Sequence, residues 1–189
     1  MKDSFVIGRF DRNLADVKRW AIVRTIRSQS VAEHSYYVAL MMKPLLEHHG
    51  YDDPVMIMNA VQYALIHDRD EVLSGDIATP AKRRMTPGAF NALNEEFGLN
   101  VPEPDQVIKK AAKVLDLLEA AMFLAEECGM GNHRVSDVLL VIRRKLARAC
   151  KEFEEDAPKK QVGGLYAELS CVITYCAHSK VDPLEPMDP

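Results

Sequence analysis

"PVMIMNAVQYALIHDRDEVLSGD", residues 54–76, is an apolar run that turns abruptly acidic. Pro54 suits the first position of a helix, where its missing N–H costs nothing. Val61, Ala64 and Leu65 recur at helical spacing, which predicts a helix over 54–67 with those residues facing inward. His67 and Asp68 end it, and Asp70, Glu71 and Asp76 follow within one short loop. Acids at a helix C-terminus oppose the macrodipole. One reading is a solvated last turn. The other is a cation among the acids, which would offset their repulsion and desolvation.

The same periodicity runs through most of the chain and predicts helices over 13–23, 30–50, 89–98, 105–129, 136–156 and 164–178. In the first, Leu14, Val17 and Ala21 share a side. In the second, Ser30 with Glu33 reads as a capping box, Gly50 as a stop, and Val31, Ser35, Val38 and Met42 as one face. Pro44 should kink or divide that helix. Strand patterns are nearly absent, so the expectation is an all-α single domain over 1–180 with a Pro-rich acidic tail at 181–189.

Composition sets the frame. The chain has 189 residues, enough for one domain with a proper core. Its formal net charge of −4 argues against a polymeric nucleic-acid partner. Four cysteines without a Cys-x-x-Cys pair read as reduced thiols of a cytoplasmic protein. No run approaches the roughly 20 apolar residues of a membrane span, and the first residues do not form a signal peptide.

Two further signals bear on the cation. His34 lies beside the apolar face of its helix, where a histidine is either a hydrogen-bonded core residue or a ligand. Asp116 sits among Val114, Leu115, Leu117 and Leu118. Desolvating an unpaired carboxylate costs on the order of several kcal/mol, so it needs either an arginine or a metal. His34, His67, Asp68 and Asp116 together offer mixed nitrogen and oxygen donors, which suit Co, Mn, Ni, Fe or Zn better than Ca. A metal acidifies water toward neutral pH, and nearby Glu71 is then the candidate general acid/base. That chemistry hydrolyses esters and anhydrides.

Cationic residues flank these positions: Lys18, Arg19, Arg24 and Arg27 before His34, and Lys82, Arg83 and Arg84 after Asp76. They match phosphate oxygens or simply face water. Trp20, the only tryptophan, is either core or a surface for a sugar or base, and Ile22 could touch a base edge.

The pattern His34 … His67-Asp68 … Asp116 resembles the H…HD…D signature of the HD-domain phosphohydrolases. "RWAIVRTIRSQSVAEHS" and "HDRDEVLSGDIATPAK" are similar to the 5′-deoxynucleotidase (YfbR-like) branch and equally to the phage dATP triphosphohydrolases (DatZ-like), in detail over residues 9–85. The resemblance implies an HD-domain helical bundle with a divalent metal between helices, held by His34, His67, Asp68 and Asp116. It implies that Glu71 handles protons, Arg19 and Lys82 grip phosphate, and Trp20 packs on the sugar. Asp76 would receive the 3′-hydroxyl, with Ile22 and Pro80 near the base. It also implies a homo-oligomer, for which the apolar face of 136–155 is a candidate interface. Ala21-Ile22 stands where the nucleotidases usually have Pro-Leu, and Arg69-Asp70 replaces the small residues often found after His-Asp.

The expected function is therefore metal-dependent removal of 5′ phosphates from 2′-deoxynucleotides, leaning to adenine-type substrates including dATP. The alternatives are a 5′-deoxynucleotidase acting on dNMPs, a non-catalytic metal and nucleotide sensor, and a purely structural helical module in which Asp116 is salt-bridged.

Overall fold

The computed structural model describes residues 11–77, 81, 84, 87–160 and 163–178. In chain order it forms a 3-10 turn (Asp11–Ala15), α1 (Val31–His48), α2 (Pro54–Ile66), α3 (Glu71–Ser74) and α4 (Pro87–Phe97). After these come α5 (Gln106–Gly129), a second 3-10 turn (His133–Val135), α6 (Ser136–Glu154) and α7 (Leu165–His178). The all-α expectation holds: the only β pairing among the described residues is an isolated bridge between Lys18 and Ser30. No helix among them is long and apolar enough to cross a membrane. The expected tail at 181–189 lies outside the described residues.

Local chemistry sets the boundaries. Ser30 caps α1, its hydroxyl accepting the Glu33 N–H at 3.1 Å. Asp53 caps α2 in the same way through Val55, with Pro54 in the first turn. α1 runs on through Pro44 as one helix, so the proline does not divide it.

α5 is the central element. It is apolar on nearly every side, from Ile108 to Ala125, because α1, α6 and α7 pack around it and α2 touches it more lightly. α6 turns Ile142, Leu146, Ala149, Cys150 and Phe153 inward and leaves Leu140 and Val141 exposed. On α2, Ala64 is buried as expected, but Leu65 faces out and Val61 is only partly covered.

The predicted helix over 13–23 does not form. Only a 3-10 turn is present, with Leu14 buried. The chain then runs alongside 29–31, with Val31 N–H bonded to Val17 O and Arg19 N–H to Gln29 O, both at 2.9 Å. Other parts of the fold take the loop's amides. Asp76 accepts the Trp20 N–H, and Glu127 on α5 accepts those of Ile26 and Arg27. These partners outweigh a weak helical propensity and hold Trp20 at φ 67°, a left-handed conformation unusual for a bulky residue.

Candidate metal centre

α1 carries His34, the end of α2 carries His67 and Asp68, and α5 carries Asp116. The packing of these three helices brings His34, His67 and Asp68 into one cluster and sets Asp116 beside His34. His67 Nε2 is 3.2 Å from Asp68 Oδ2, and His34 Nε2 is 3.7 Å from that same oxygen. Asp116 Oδ1 is 3.6 Å from His34 Nε2. One ligand atom from each of His34, His67 and Asp68 lies within 4.8 Å of the other two.

The protons are arranged to suit a cation. His67 donates Nδ1–H to the Ala64 carbonyl at 2.7 Å, which turns the Nε2 lone pair toward the cluster. His34 Nδ1 lies 2.5 Å from Glu119 Oε2. A carboxylate only accepts, while Arg19 Nη1, at 2.5 Å from the same nitrogen, only donates; the tautomer that serves Glu119 carries its proton on Nδ1 and leaves Nε2 bare. Both Nε2 atoms are buried and make no hydrogen bond within the chain. Such orphaned acceptors are costly, and a metal ion satisfies them. Ligands bound at about 2.0–2.2 Å lie roughly 3.4 Å apart in a tetrahedron, close to the separations found here. The donor set fits a divalent transition metal.

The acids favour positive charge at this point, whether an ion or a proton on His67 Nε2. Burial pushes the His67 imidazole down, but Asp68 beside it outweighs this and raises it to about 9. Burial pushes Asp68 up, yet His67, His34 and Arg19 hold it well below the usual carboxylate range. Asp116 is raised by burial and lowered more strongly by Lys113 and His34, ending below its ordinary value. Asp116 also answers in part to the salt-bridge alternative, with Lys113 Nζ 2.7 Å from Oδ2 and Arg19 Nη2 3.8 Å from Oδ1.

Glu71 opens α3, three residues after Asp68, and is buried. Arg19 lies within the network rather than out in solvent: Nη1 donates to Glu119 Oε2 at 2.9 Å, and its side chain is 12% exposed. Trp20 stacks on Phe123 (5.6 Å, 8°) and donates Nε1–H to Gln29, with the Arg19 guanidinium over its ring. Asp76 uses Oδ2 to hold the Trp20 N–H at 3.0 Å. Ile22 is 75% exposed. Pro80 and Lys82 lie outside the described residues.

Sequence reading missed Glu119 and Gln29. Both are buried, and Gln29 Nε2 donates to Glu119 Oε1 at 2.5 Å. The signal was available for Glu119. It stands one helical step (i, i+3) from Asp116 on an otherwise apolar stretch, so the two acids share a face.

The family described as 5′-deoxynucleotidase YfbR-like matches residues 10–95, a stretch that contains His34, His67, Asp68 and Glu71. Over that stretch the chain is similar to the YfbR-like HD domains. Among curated relatives, the dATP triphosphohydrolase of Salmonella phage PMBT28 is 37% identical over 128 residues, 62% of this chain and 64% of that protein. The 5′-deoxynucleotidase YfbR of Escherichia coli (strain K12 / DH10B) is 33% identical over 84 residues, 43% of this chain and 42% of that one. The matched part thus spans less than two thirds of either relative. In fold, the chain is similar to the cyanophage S-2L HD phosphohydrolase DatZ, solved bound to dA and one catalytic Zn2+ ion. The TM-score is 0.63 at 24% identity, covering 92% of this chain and 95% of that one.

Proposed function

We propose that this chain is a metal-dependent phosphohydrolase that removes 5′ phosphates from 2′-deoxynucleotides, with adenine-type substrates, dATP included, preferred. The observation that carries this reading is the convergence of two buried imidazole nitrogens without a hydrogen bond on Asp68, with Asp116 beside the His34 nitrogen. In this reading His34, His67, Asp68 and Asp116 hold a divalent transition metal. When bound, such an ion supplies Lewis acidity to water and to a phosphoryl oxygen.

The chain's own groups do the rest. The Glu71 carboxylate takes the proton of the attacking water and returns it to the leaving oxygen. Arg19 orients a phosphate oxygen at the edge of the cluster, with Lys82 as a second contact. Trp20 offers the exposed part of its ring to the deoxyribose, Asp76 receives the 3′-hydroxyl on Oδ1, and Ile22 and Pro80 lie against the base. The relatives support the substrate class: one is named for dATP, and a structural neighbour was solved with dA and zinc. A homo-oligomer in the cytoplasm, including that of a host cell, completes the proposal.

The second reading, a 5′-deoxynucleotidase releasing one phosphate from dNMPs, is favoured by the YfbR match over residues 10–95. Incubation with dATP and with dAMP in Co2+, Mn2+ or Zn2+, followed by separation of products, distinguishes the two. Inorganic triphosphate from dATP supports the first, and phosphate from dAMP alone supports the second. Absence of turnover with either nucleotide and all three metals overturns both.

A further inference from the structure

We propose that Arg69 and Asp11 form a positioning pair that fixes the Asp68–Glu71 turn for metal binding and proton transfer. The inference rests on the metal-dependent reading above. Arg69 Nε lies 2.5 Å from Asp11 Oδ1 and Nη2 lies 3.1 Å from Oδ2, a two-pronged contact in which the rigid fork of the guanidinium meets both carboxylate oxygens. Both side chains are mostly covered, at 19% and 30% exposure.

The turn has little of its own to hold it. Between Asp68 and Gly75 it consists of i→i+3 bonds such as Glu71 N–H to Asp68 O (3.1 Å) and Val72 N–H to Arg69 O (3.3 Å), followed by the four-residue α3. So short a helix does not sustain itself. Asp68 and Glu71 sit on either side of this weak stretch, and Arg69 is between them. Asp11, by contrast, begins a segment with firm anchors. Leu14 is buried, Val17 and Arg19 pair with Val31 and Gln29, and the 3-10 turn packs against α3. The ion pair therefore ties a weak turn to a fixed wall.

Arg69 is a positioning residue, not a catalytic one, because it acts through Asp68 and Glu71. The test is a double-mutant cycle on full-length protein, using R69A, D11N and the R69A/D11N double variant. Two readouts are taken: the Co2+ affinity with its visible absorption spectrum, and kcat and KM for the deoxynucleotide that the wild type hydrolyses. Each single variant should bind Co2+ about tenfold or more weakly, as loss of an outer support typically does. Each should show an altered visible spectrum and a lower kcat, with KM within about twofold. The double variant should be no worse than either single, since the pair acts as one unit. Wild-type affinity and kcat in both singles, or losses that add in the double, overturn the pairing. D11N reads the pair from the other side should R69A not fold. A wild type that binds no Co2+ overturns the metal reading and this inference with it. A wild type that binds Co2+ without turnover leaves affinity and spectrum to decide the pair alone.

Discussion

Glu119 Oε2 lies 2.5 Å from His34 Nδ1, on the ring edge away from Asp116 and Asp68. A proton placed on Nδ1 toward this carboxylate leaves Nε2 bare. The contact also raises the electron density of the ring, as a carboxylate behind a metal-binding histidine does. E119A should weaken metal binding by about 10–100-fold. It should also destabilise the fold, because Arg19 and Gln29 lose their shared acceptor. Competition titration against a chelator measures the first effect and urea denaturation the second. Wild-type metal affinity in E119A would show that His34 needs no such support.

Glu71 and Asp116 separate proton transfer from metal retention. E71Q keeps the shape of the side chain but cannot take a proton. It should retain metal while turnover falls by about 10²–10⁴-fold. D116A should lose both, since it removes a ligand directly. Elemental analysis of the two variants beside a product assay checks this. Full activity in E71Q would remove Glu71 from the proposed role.

How much of this was legible in the sequence varies by residue. The helices α1, α2, α5, α6 and α7 could be read because their apolar residues repeat at helical spacing and their ends carry caps such as Ser30 and Pro54. The ligand candidates could be read because His34 and Asp116 stand out from apolar faces. The loop from Asp16 to Ser30 could not. Its path depends on Asp76 and Glu127, which are distant in sequence and take the amides of Trp20, Ile26 and Arg27. Glu119 was overlooked for a related reason: a buried acid shows its role only once the imidazole it faces is known.

Gly129 ends α5 against α7, and a side chain there would strike backbone. A Cβ at this position falls 2.5 Å from the Ala177 carbonyl oxygen and 3.2 Å from its carbon. Neither atom can rotate away, so the two helices would have to part. G129A should cost about 1–3 kcal/mol, seen as a lower urea midpoint with an unchanged slope. Metal affinity should stay near wild type, because this contact lies about 20 Å along α5 from Asp116.

Glu127 should give the fold an acid-sensitive component. Its carboxylate accepts the Arg27 N–H at 2.8 Å, the Asn132 side-chain amide at 2.7 Å and the Ile26 N–H at 2.6 Å. Burial pushes this group up, but those three donors together outweigh burial and hold it below the ordinary glutamate value of 4.5. A carboxyl depressed in the folded state stabilises the fold above its unfolded value, and that contribution fades as pH falls through the folded value. The stabilisation should therefore be complete at neutral pH and decline below about pH 4.5. In E127Q the amide NH2 meets a backbone or side-chain donor instead of accepting from it, which leaves a buried N–H unsatisfied at a cost of about 1–3 kcal/mol. Urea midpoints measured from pH 7 to pH 3 should show a wide gap between wild type and E127Q at neutral pH that narrows in acid. A gap that stays constant across the range would mean that the charge on Glu127 contributes nothing to anchoring the loop that carries Arg19 and Trp20.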